Sequence, residues 1–426
     1  FFFMLKRSFD ISCSLVVSLI CIGNQVTNGN FDYIGTVGSE TLNYVLAGGI
    51  PSGITPATLA YNNVTWEKVT TANFGLDLGL LNNRLTASFD YYIRYTTDMV
   101  VSKAYPNTMG TSGGKENLAS MRTNGWELSL NWNDRISDVA GSPLDYNVGI
   151  GLSDSYSTIT KYDNPTGTLN DLYVGKRLGE IWGYTTDGFI MDAAEAAEQS
   201  KRQSYISNTW IPGDIRYADL NGDNVVNEGN SEKGPINTLS NHGDKSIIGN
   251  ETPRYRFNIN LGLSWKNFDV RALFEGVLKR DLWLGNEVFW GFSGVWNSAI
   301  NDYHVDNSWS EDNPNAYYPV PLFNSDRSRK TQTKYLQNAS YIRLRDLTIG
   351  YTLPKKWLEP VGISQLKIFF SGQNLWEATG LYKYVDPDMT GNTYQKSSDG
   401  MVGTLNSDMK SYPFCRSYSF GINLTF

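Results

Sequence analysis

Five residues in the middle of the chain have the spacing of a calcium-binding loop. The positions that would supply oxygen atoms are Asp219, Asn221, Asp223, Val225 and Asn227. This spacing turns alternate residues toward one cation, with Val225 contributing its backbone carbonyl. However, Asn224 stands where such loops have glycine, and Asn230 stands where they have a bidentate glutamate, a role that Glu228 could take. A calcium site and a solvated acidic turn therefore remain alternatives for this segment.

Two long polar segments carry tryptophans that could contact sugars or a partner protein. These are Trp182, Trp210, Trp283, Trp290, Trp296 and Trp309. Flat amphipathic rings bind such surfaces at a low cost in conformational entropy. Alternatively, the rings pack on one another and order the loops that carry them. The sequence leaves both roles open.

The remaining residue types argue against an enzyme and against nucleic-acid binding. His242 and His304 have no neighbours at the spacing of a zinc site or a catalytic triad. There is no P-loop, Rossmann fingerprint or nucleophile elbow, and no carboxylate pair has a spacing that indicates glycosidase chemistry. The formal net charge of -7 offers no broad basic surface for phosphates. The 3 cysteines are too few for a disulfide framework.

The elements that must position these residues are strands with alternating side chains. Between residues 254 and 266 the odd-numbered positions are apolar and the even-numbered ones are polar or glycine. The pattern resumes after Lys266 and Asn267, which predicts a tight hairpin. Similar segments lie at 65–79, 85–97, 125–133, 144–157, 341–353, 364–376 and 414–426. The sequence thus predicts about nine strands.

The lengths of the connections favour a membrane barrel over a soluble sandwich, since alternation alone fits both. Short links at 80–84, 134–143, 266–267 and 354–363 alternate with long ones at 98–124, 158–253, 280–340 and 377–413. Outer-membrane barrels alternate short periplasmic turns with long outer loops, whereas Greek-key sandwiches do not. The strand at 65–79 then needs an ascending partner, which we expect between residues 11 and 40 and which makes about ten strands.

A closed barrel of this size would be too narrow for its polar face. Barrels near eight strands are filled by their own side chains, yet the inward positions here carry Gly, Ser, Asn, Asp and Arg, which suit a wider, water-filled lumen. The predicted fold class is therefore all-β. We expect an antiparallel transmembrane β-barrel that is partial, with about ten strands of a larger barrel and long extracellular loops.

Short motifs occur in a fixed order from residue 22 to the C-terminus. They include Ile22-Gly23-Asn24-Gln25, Asn73-Phe74-Gly75-Leu76-Asp77, Asn124-Gly125-Trp126-Glu127, Gly213-Asp214-Ile215-Arg216-Tyr217, Ile247-Ile248-Gly249-Asn250, Tyr341-Ile342-Arg343-Leu344-Arg345 and Asp386-Pro387-Asp388. Together they resemble the SusC/RagA-type TonB-dependent transporters of the Bacteroidetes outer membrane. The larger barrel expected from the lumen would then be a TonB-dependent-receptor barrel.

The resemblance implies uptake of a nutrient, either an oligosaccharide or a peptide, across the Gram-negative outer membrane. It implies a SusD-like surface lipoprotein, the TonB complex acting through an N-terminal plug, the barrel-assembly machinery and membrane lipid as partners. Nothing before Ile22 resembles the plug. We therefore expect a plug-less C-terminal portion of the barrel over residues 22–426.

The first residues need a separate interpretation. Lys6 and Arg7 precede an apolar run at 11–22, which is shorter than the ~20 residues of a spanning helix and lacks a small-residue cleavage site. We predict an atypical N-terminal segment at 1–21, which is a signal-like sequence, a displaced start or a strand.

Two other function classes stay open. An independent small outer-membrane barrel could act as an adhesin or surface-binding protein through its long loops, and a secreted β-rich enzyme would be a soluble monomer. A closed barrel has no free strand edge, whereas a partial one has two.

Overall fold

One antiparallel sheet dominates the computed structural model. The structure describes residues 12–24, 37–41, 45, 48–54, 64–102, 115–164, 167–285, 287–291, 300, 302–323, 325–388 and 413–426. The strands, in chain order, are β1 (Ser12–Asn24), β2 (Ser39–Thr41), β3 (Ser52–Ile54), β4 (Glu67–Leu80), β5 (Leu85–Ser102), β6 (Lys115–Ile136), β7 (Leu144–Lys161), β8 (Glu180–Tyr184), β9 (Thr186–Phe189), β10 (Ile215–Tyr217), β11 (Lys245–Asn250), β12 (Arg254–Trp265), β13 (Phe268–Lys279), β14 (Asp281–Leu282), β15 (Gln337–Asn338), β16 (Tyr341–Thr352), β17 (Gln365–Thr379) and β18 (Ser417–Thr425).

The large sheet has 10 strands in the order β1-β4-β5-β6-β7-β12-β13-β16-β17-β18. Each strand of this sheet pairs antiparallel with the strand that precedes it in that order. The strands missing from the order belong to the long loops. Among the described residues, β1 pairs only with β4 and β18 only with β17, so the sheet does not close. The predicted fold class, a partial antiparallel barrel, is confirmed.

The ascending partner expected between residues 11 and 40 is β1. It pairs with β4 along its whole length, from Ser12 opposite Gly79 to Asn24 opposite Glu67. This strand crosses the boundary predicted at residue 22, so residues 12–21 belong to the same sheet as the rest of the chain. On one face of this pair, Ser14 and Ser18 lie opposite the polar Asp77 and Asn73, which favours the observed register.

Several strands are longer than their alternation predicts. The structure extends β5 to Ser102 and begins β6 at Lys115, so the predicted link at 98–124 is shortened from both ends. Residues 117–124 of β6 have no strict alternation, because the apolar Leu118, Ala119 and Met121 fall on both faces among polar side chains. A strand that pairs above the apolar band needs no lipid-facing hydrophobic residues, and the sequence pattern therefore does not reveal it.

The pairing register places the apolar side chains on one face of the sheet. Ile259 lies opposite Phe274 on one side and Ile150 on the other. Tyr255 and Leu261 are each 39% exposed, so no second sheet covers them. Large apolar areas in water cost roughly 25 cal/mol per Å². An extended apolar band on a strand sheet is therefore suited to hydrocarbon.

Two of the short links form tight turns. Trp265 lies opposite Phe268, so the hairpin predicted at Lys266 and Asn267 is confirmed. A second turn lies between β6 and β7, where the N–H of Val139 donates to the carbonyl of Ser142 at 2.8 Å and the reverse bond measures 3.3 Å. Its two central residues, Ala140 and Gly141, have φ of 50° and 80°.

We expect Ala140→Asn to stabilise this turn by on the order of 1 kcal/mol, because asparagine tolerates the left-handed conformation that alanine adopts only with strain. Urea unfolding in detergent measures the change. Ala140→Val is the control, since a β-branched residue at positive φ should lower the unfolding midpoint. Equal midpoints for the two variants would contradict the argument.

The long links fold into a layer at one end of the sheet. This layer contains the paired strands β8 with β11, β9 with β10, and β14 with β15. Its helices are α1 (Ala193–Arg202), α2 (Glu287–Trp290) and α3 (Asp302–Asn307), with 3-10 turns at Ser231–Lys233 and Arg327–Arg329. Another helix, α4 (Lys355–Leu358), and the 3-10 turn at Glu359–Val361 lie in the short link between β16 and β17. In the described part of the chain, no helix has the length and apolar character needed to cross a membrane.

Candidate functional site

A cavity of about 780 Å³ lies on the polar face of the sheet, at the roots of the long loops. Its wall includes one row of residues across four strands. Asp90 lies opposite Glu127, Glu127 opposite Ser153, and Ser153 opposite Arg256. The two carboxylates stand on neighbouring strands, which lie about 4.8 Å apart. The strand that carries Arg256 is two strand spacings, roughly 10 Å, from the strand that carries Glu127. Such a wall can bind the charged ends of a polar solute or of a protein segment.

The main hydrophobic core lies in the loop layer and is largely aromatic. Phe289 is 0% exposed, and its ring centre lies 5.2 Å from that of Trp290, 5.5 Å from that of Tyr318 and 5.2 Å from that of Tyr382. These contacts have the edge-to-face geometry that aromatic quadrupoles favour. Because Tyr382 comes from the last long loop and Phe289 from the previous one, the core joins separate loops.

The predicted tryptophans mostly meet in this aromatic core. Trp210, Trp290 and Trp309 are buried in it, and Trp283 packs against it while partly exposed. Trp182 is half-buried away from this group, where its indole N–H donates to the Tyr173 hydroxyl at 3.2 Å. Trp296 lies outside the described residues. The burial of the first three agrees with the packing alternative, and a role for the predicted tryptophans in solute or partner contact stays a prediction.

A buried ion pair also ties the second and third long loops together. Asp214 has a fully buried side chain and lies 2.8 Å from the Arg327 guanidinium. The hydroxyl of Ser328 donates to the same carboxylate at 2.8 Å. Nearby, the buried Gln332 accepts a hydrogen bond from the Thr186 hydroxyl at 2.8 Å. These contacts satisfy polar groups that would otherwise be costly to bury.

The segment predicted to bind calcium forms a self-bonded acidic turn. The Asp219 carboxylate accepts backbone N–H groups of Gly222 at 2.7 Å and Asn224 at 2.8 Å. Burial acts to raise the pKa of Asp219, but these N–H groups outweigh it and hold the pKa below its usual value. Asn224 and Gly222 have φ of 66° and 78°, so asparagine supports the sharp turn where glycine was expected.

A buried carboxylate anchors this turn from behind. Asp244 is 0% exposed and accepts the backbone N–H groups of Leu220 at 2.8 Å and Asn227 at 2.9 Å. Burial raises its pKa above the usual carboxyl value despite these bonds. Asp244 follows the motif by many residues, so the spacing of the motif does not reveal it.

Among the residues that the structure describes, no three His, Cys, Asp or Glu side chains converge as metal ligands. A cation in the turn would therefore depend on amide and backbone carbonyl oxygens from Asn221, Asn227 and Val225 besides the carboxylates of Asp219 and Asp223. Calcium binding at these five residues stays a prediction.

We expect Asp244→Asn to loosen the acidic turn by about 1–3 kcal/mol, because the new amide group would face a backbone N–H that it cannot accept. Hydrogen exchange of residues 219–229 measures this loss. Asp223→Asn is the matched control on an exposed side chain and should change little. If both variants exchange alike, Asp244 is not the anchor.

Residues 27–375 match the family described as TonB dependent receptor-like, beta-barrel. This match covers most of the chain. The chain belongs to the TonB-dependent receptor β-barrel family. The resemblance to SusC/RagA-type receptors is also confirmed.

TonB-dependent receptor P3 of Formosa agariphila is 27% identical over 393 residues, which are 88% of this chain and 36% of that protein. TonB-dependent receptor SusC of Bacteroides thetaiotaomicron is 26% identical over 372 residues, which are 86% of this chain and 33% of that protein.

Solved structures share the fold of this receptor barrel. The structure of the RagAB peptide transporter superposes with a TM-score of 0.68 at 23% identity, covering 99% of this chain and 42% of that one. The RagAB peptide importer in its closed-closed state gives a TM-score of 0.67 at 24% identity. The receptor chain described here thus spans about a third of the length of the curated relatives it matches.

The charged row in the receptor lumen was not found from the sequence. Asp90, Glu127 and Arg256 lie in three separate strands, and 92 residues of loop, 162–253, separate β7 from β12. Polar residues at alternate positions of each strand do indicate which face of that strand points into the lumen. The alignment of charges along one row required the register.

Proposed function

We propose that this chain forms part of the lumen wall and the outer loops of a transporter that takes up nutrients across the outer membrane of a Bacteroidetes bacterium. The observation that carries the proposal is the sheet with an apolar face exposed to its surroundings and a polar face that bounds a cavity. The partial barrel is a wall of a wider lumen, and energy for uptake would come from the TonB complex through a plug.

The proposed cargo is an oligosaccharide or a peptide. TonB-dependent receptor SusC is a relative of this chain, and the RagAB peptide transporter shares its fold. Both similarities support nutrient uptake in general. The lumen row of Asp90, Glu127 and Arg256 favours a solute with charged groups, because a charged side chain attracts an opposite charge more strongly in a restricted lumen than in open water.

The proposed partners are a SusD-like surface lipoprotein on the outer loops, the barrel-assembly machinery at the terminal strand, and membrane lipid around the apolar face. Nucleic acid is not among them, in keeping with the charge of -7. Calcium in the acidic turn and contacts through the predicted tryptophans belong to the same proposal. We assign no enzymatic reaction.

Deletion of the encoding gene tests this function. We expect the source bacterium to lose growth on one nutrient class, oligosaccharides or peptides, and to regain it when the wild-type gene is restored. A gene with Asp90→Asn and Glu127→Gln should restore a membrane-inserted protein but lower uptake of a cationic solute. Unchanged growth on both classes, together with weaker surface attachment, would instead support the adhesin alternative.

A further inference from the structure

Two motifs from distant parts of the sequence meet at the root of the last long loop. Arg343 in β16 is 1% exposed. Its guanidinium lies 2.6 Å from the carboxylate of Glu377 and 2.6 Å from that of Asp386. It lies 3.4 Å from a third carboxylate, that of Asp388. One buried cation thus joins the wall strand β17 to the two acidic residues of the Asp386-Pro387-Asp388 motif.

A second guanidinium reinforces this contact. Arg345 lies 3.4 Å from the same oxygen of Asp388 and 3.2 Å from Glu275 of β13. The hydroxyl of Tyr341 donates to Asp388 at 3.1 Å. Four carboxylates therefore share two guanidinium groups, and the loss of either cation leaves acidic groups facing one another.

The same cluster fixes the other end of the loop. The backbone N–H of Phe414 donates to Asp386 at 3.0 Å. The Phe414 ring lies 4.7 Å from the guanidinium carbon of Arg345 and 5.4 Å from that of Arg343. Since β18 begins at Ser417, the ion cluster holds the chain shortly before the last strand.

We call residues 380–388 the strap. They follow β17 and end with Asp386 and Asp388, the two acidic residues of the cluster. Leu381 and Tyr382 at its start are buried in the aromatic core. Pro387 and Asp388 at its end line the lumen cavity. The carbonyl of Pro387 accepts a hydrogen bond from the Arg280 guanidinium at 3.2 Å. The strap is thus one wall of the cavity, and it is attached by side chains rather than by strand pairing.

We propose that the strap is a releasable wall of the lumen cavity and that Arg343 is the clasp that holds it closed. Release would open the cavity toward the outer loops while the ten-stranded sheet stays paired, because the ladder from β12 to β17 does not involve the strap. The clasp is a property of the fold. It goes beyond nutrient uptake and does not depend on the identity of a solute.

Hydrogen exchange of the full chain in detergent micelles tests the clasp. In Arg343→Met, we expect amides of residues 381–388 and 414–418 to exchange at least about 10-fold faster, while amides of β12 and β13 keep wild-type rates. The matched control is Arg327→Met, which removes another buried guanidinium, paired with Asp214 in a different loop. This control should leave the strap unchanged. Arg343→Lys should lie between wild type and Arg343→Met, because one ammonium group cannot reach three carboxylates in the geometry of the planar guanidinium.

Strap exchange within about twofold of wild type in Arg343→Met would overturn the proposal, and so would equal acceleration by Arg327→Met. Faster exchange throughout β12 and β13 would also overturn it, because the strap would then not be separable from the sheet. If Arg343→Met does not fold, Asp388→Asn is the second variant, because it removes only a part-exposed carboxylate of the cluster. It must then accelerate hydrogen exchange in the strap and not in β12 or β13. None of these readouts measures transport, so failure of the clasp and failure of the uptake proposal are distinguishable.

Discussion

Replacement of Ile259 by arginine is expected to prevent stable insertion of the chain into lipid vesicles. Ile259 lies near the middle of β12, between Phe274 and Ile150 on the apolar face. An arginine facing lipid near the bilayer midplane costs about 2–4 kcal/mol in outer-membrane barrels. The inserted fraction, measured by flotation with vesicles and by urea unfolding, should fall accordingly.

The adjacent position provides a matched control. Asn260→Arg introduces the same side chain one residue later, on the polar face opposite Gly149 and Leu273. Because successive side chains of a strand point to opposite faces, this arginine reaches water and should be tolerated. Equal insertion of both variants, or poorer insertion of Asn260→Arg, would contradict the assignment of the two faces and would favour a soluble fold.

Replacement of Phe289 by alanine is expected to destabilise the loop layer by about 3–5 kcal/mol, the usual loss for a fully buried phenylalanine. The ring is at the centre of the aromatic core, where it contacts Trp290, Tyr318 and Tyr382. The cavity left behind would also separate loops that depend on one another for burial. Limited proteolysis should therefore cut the long loops much faster, while the near-ultraviolet circular dichroism signal of the aromatic rings falls.

Phe323→Ala is the control for this experiment, because Phe323 lies in the same loop and is 62% exposed. It should leave proteolysis and circular dichroism close to wild type. The sheet should survive in both variants, since its strands pair through backbone bonds that Phe289 does not touch. If Phe289→Ala also released the strands, the loop layer and the sheet would be one cooperative unit, contrary to our expectation.

Much of the sheet could be predicted from the sequence because strand periodicity is local. Six residues of β12 suffice to show which side chains share a face. The two-residue hairpin at Lys266 and the position of β1 follow from the same pattern and from the alternation of link lengths. The extension of β6 toward Lys115 does not show in the sequence, because its apolar residues fall on both faces and have no period of two.

The candidate site was less accessible to sequence analysis. The tryptophan set included residues that do pack together, but the polar loops have no period that tells packing from binding. The acidic turn was recognised by its spacing, whereas its anchor Asp244 and the clasp around Arg343 depend on contacts between residues far apart in the chain. Such contacts are specific to one three-dimensional arrangement.

The sequence by itself determined the class of fold, the ten strands and the receptor family, because these depend on side-chain alternation and on short motifs in order. Only the tertiary structure decided which charges align across the lumen, which loop aromatics are buried, and how Arg343 joins Asp386 and Asp388. The physical reason is range: alternation is set by the backbone geometry of neighbouring residues, whereas burial and ion pairing are set by strand register and loop packing.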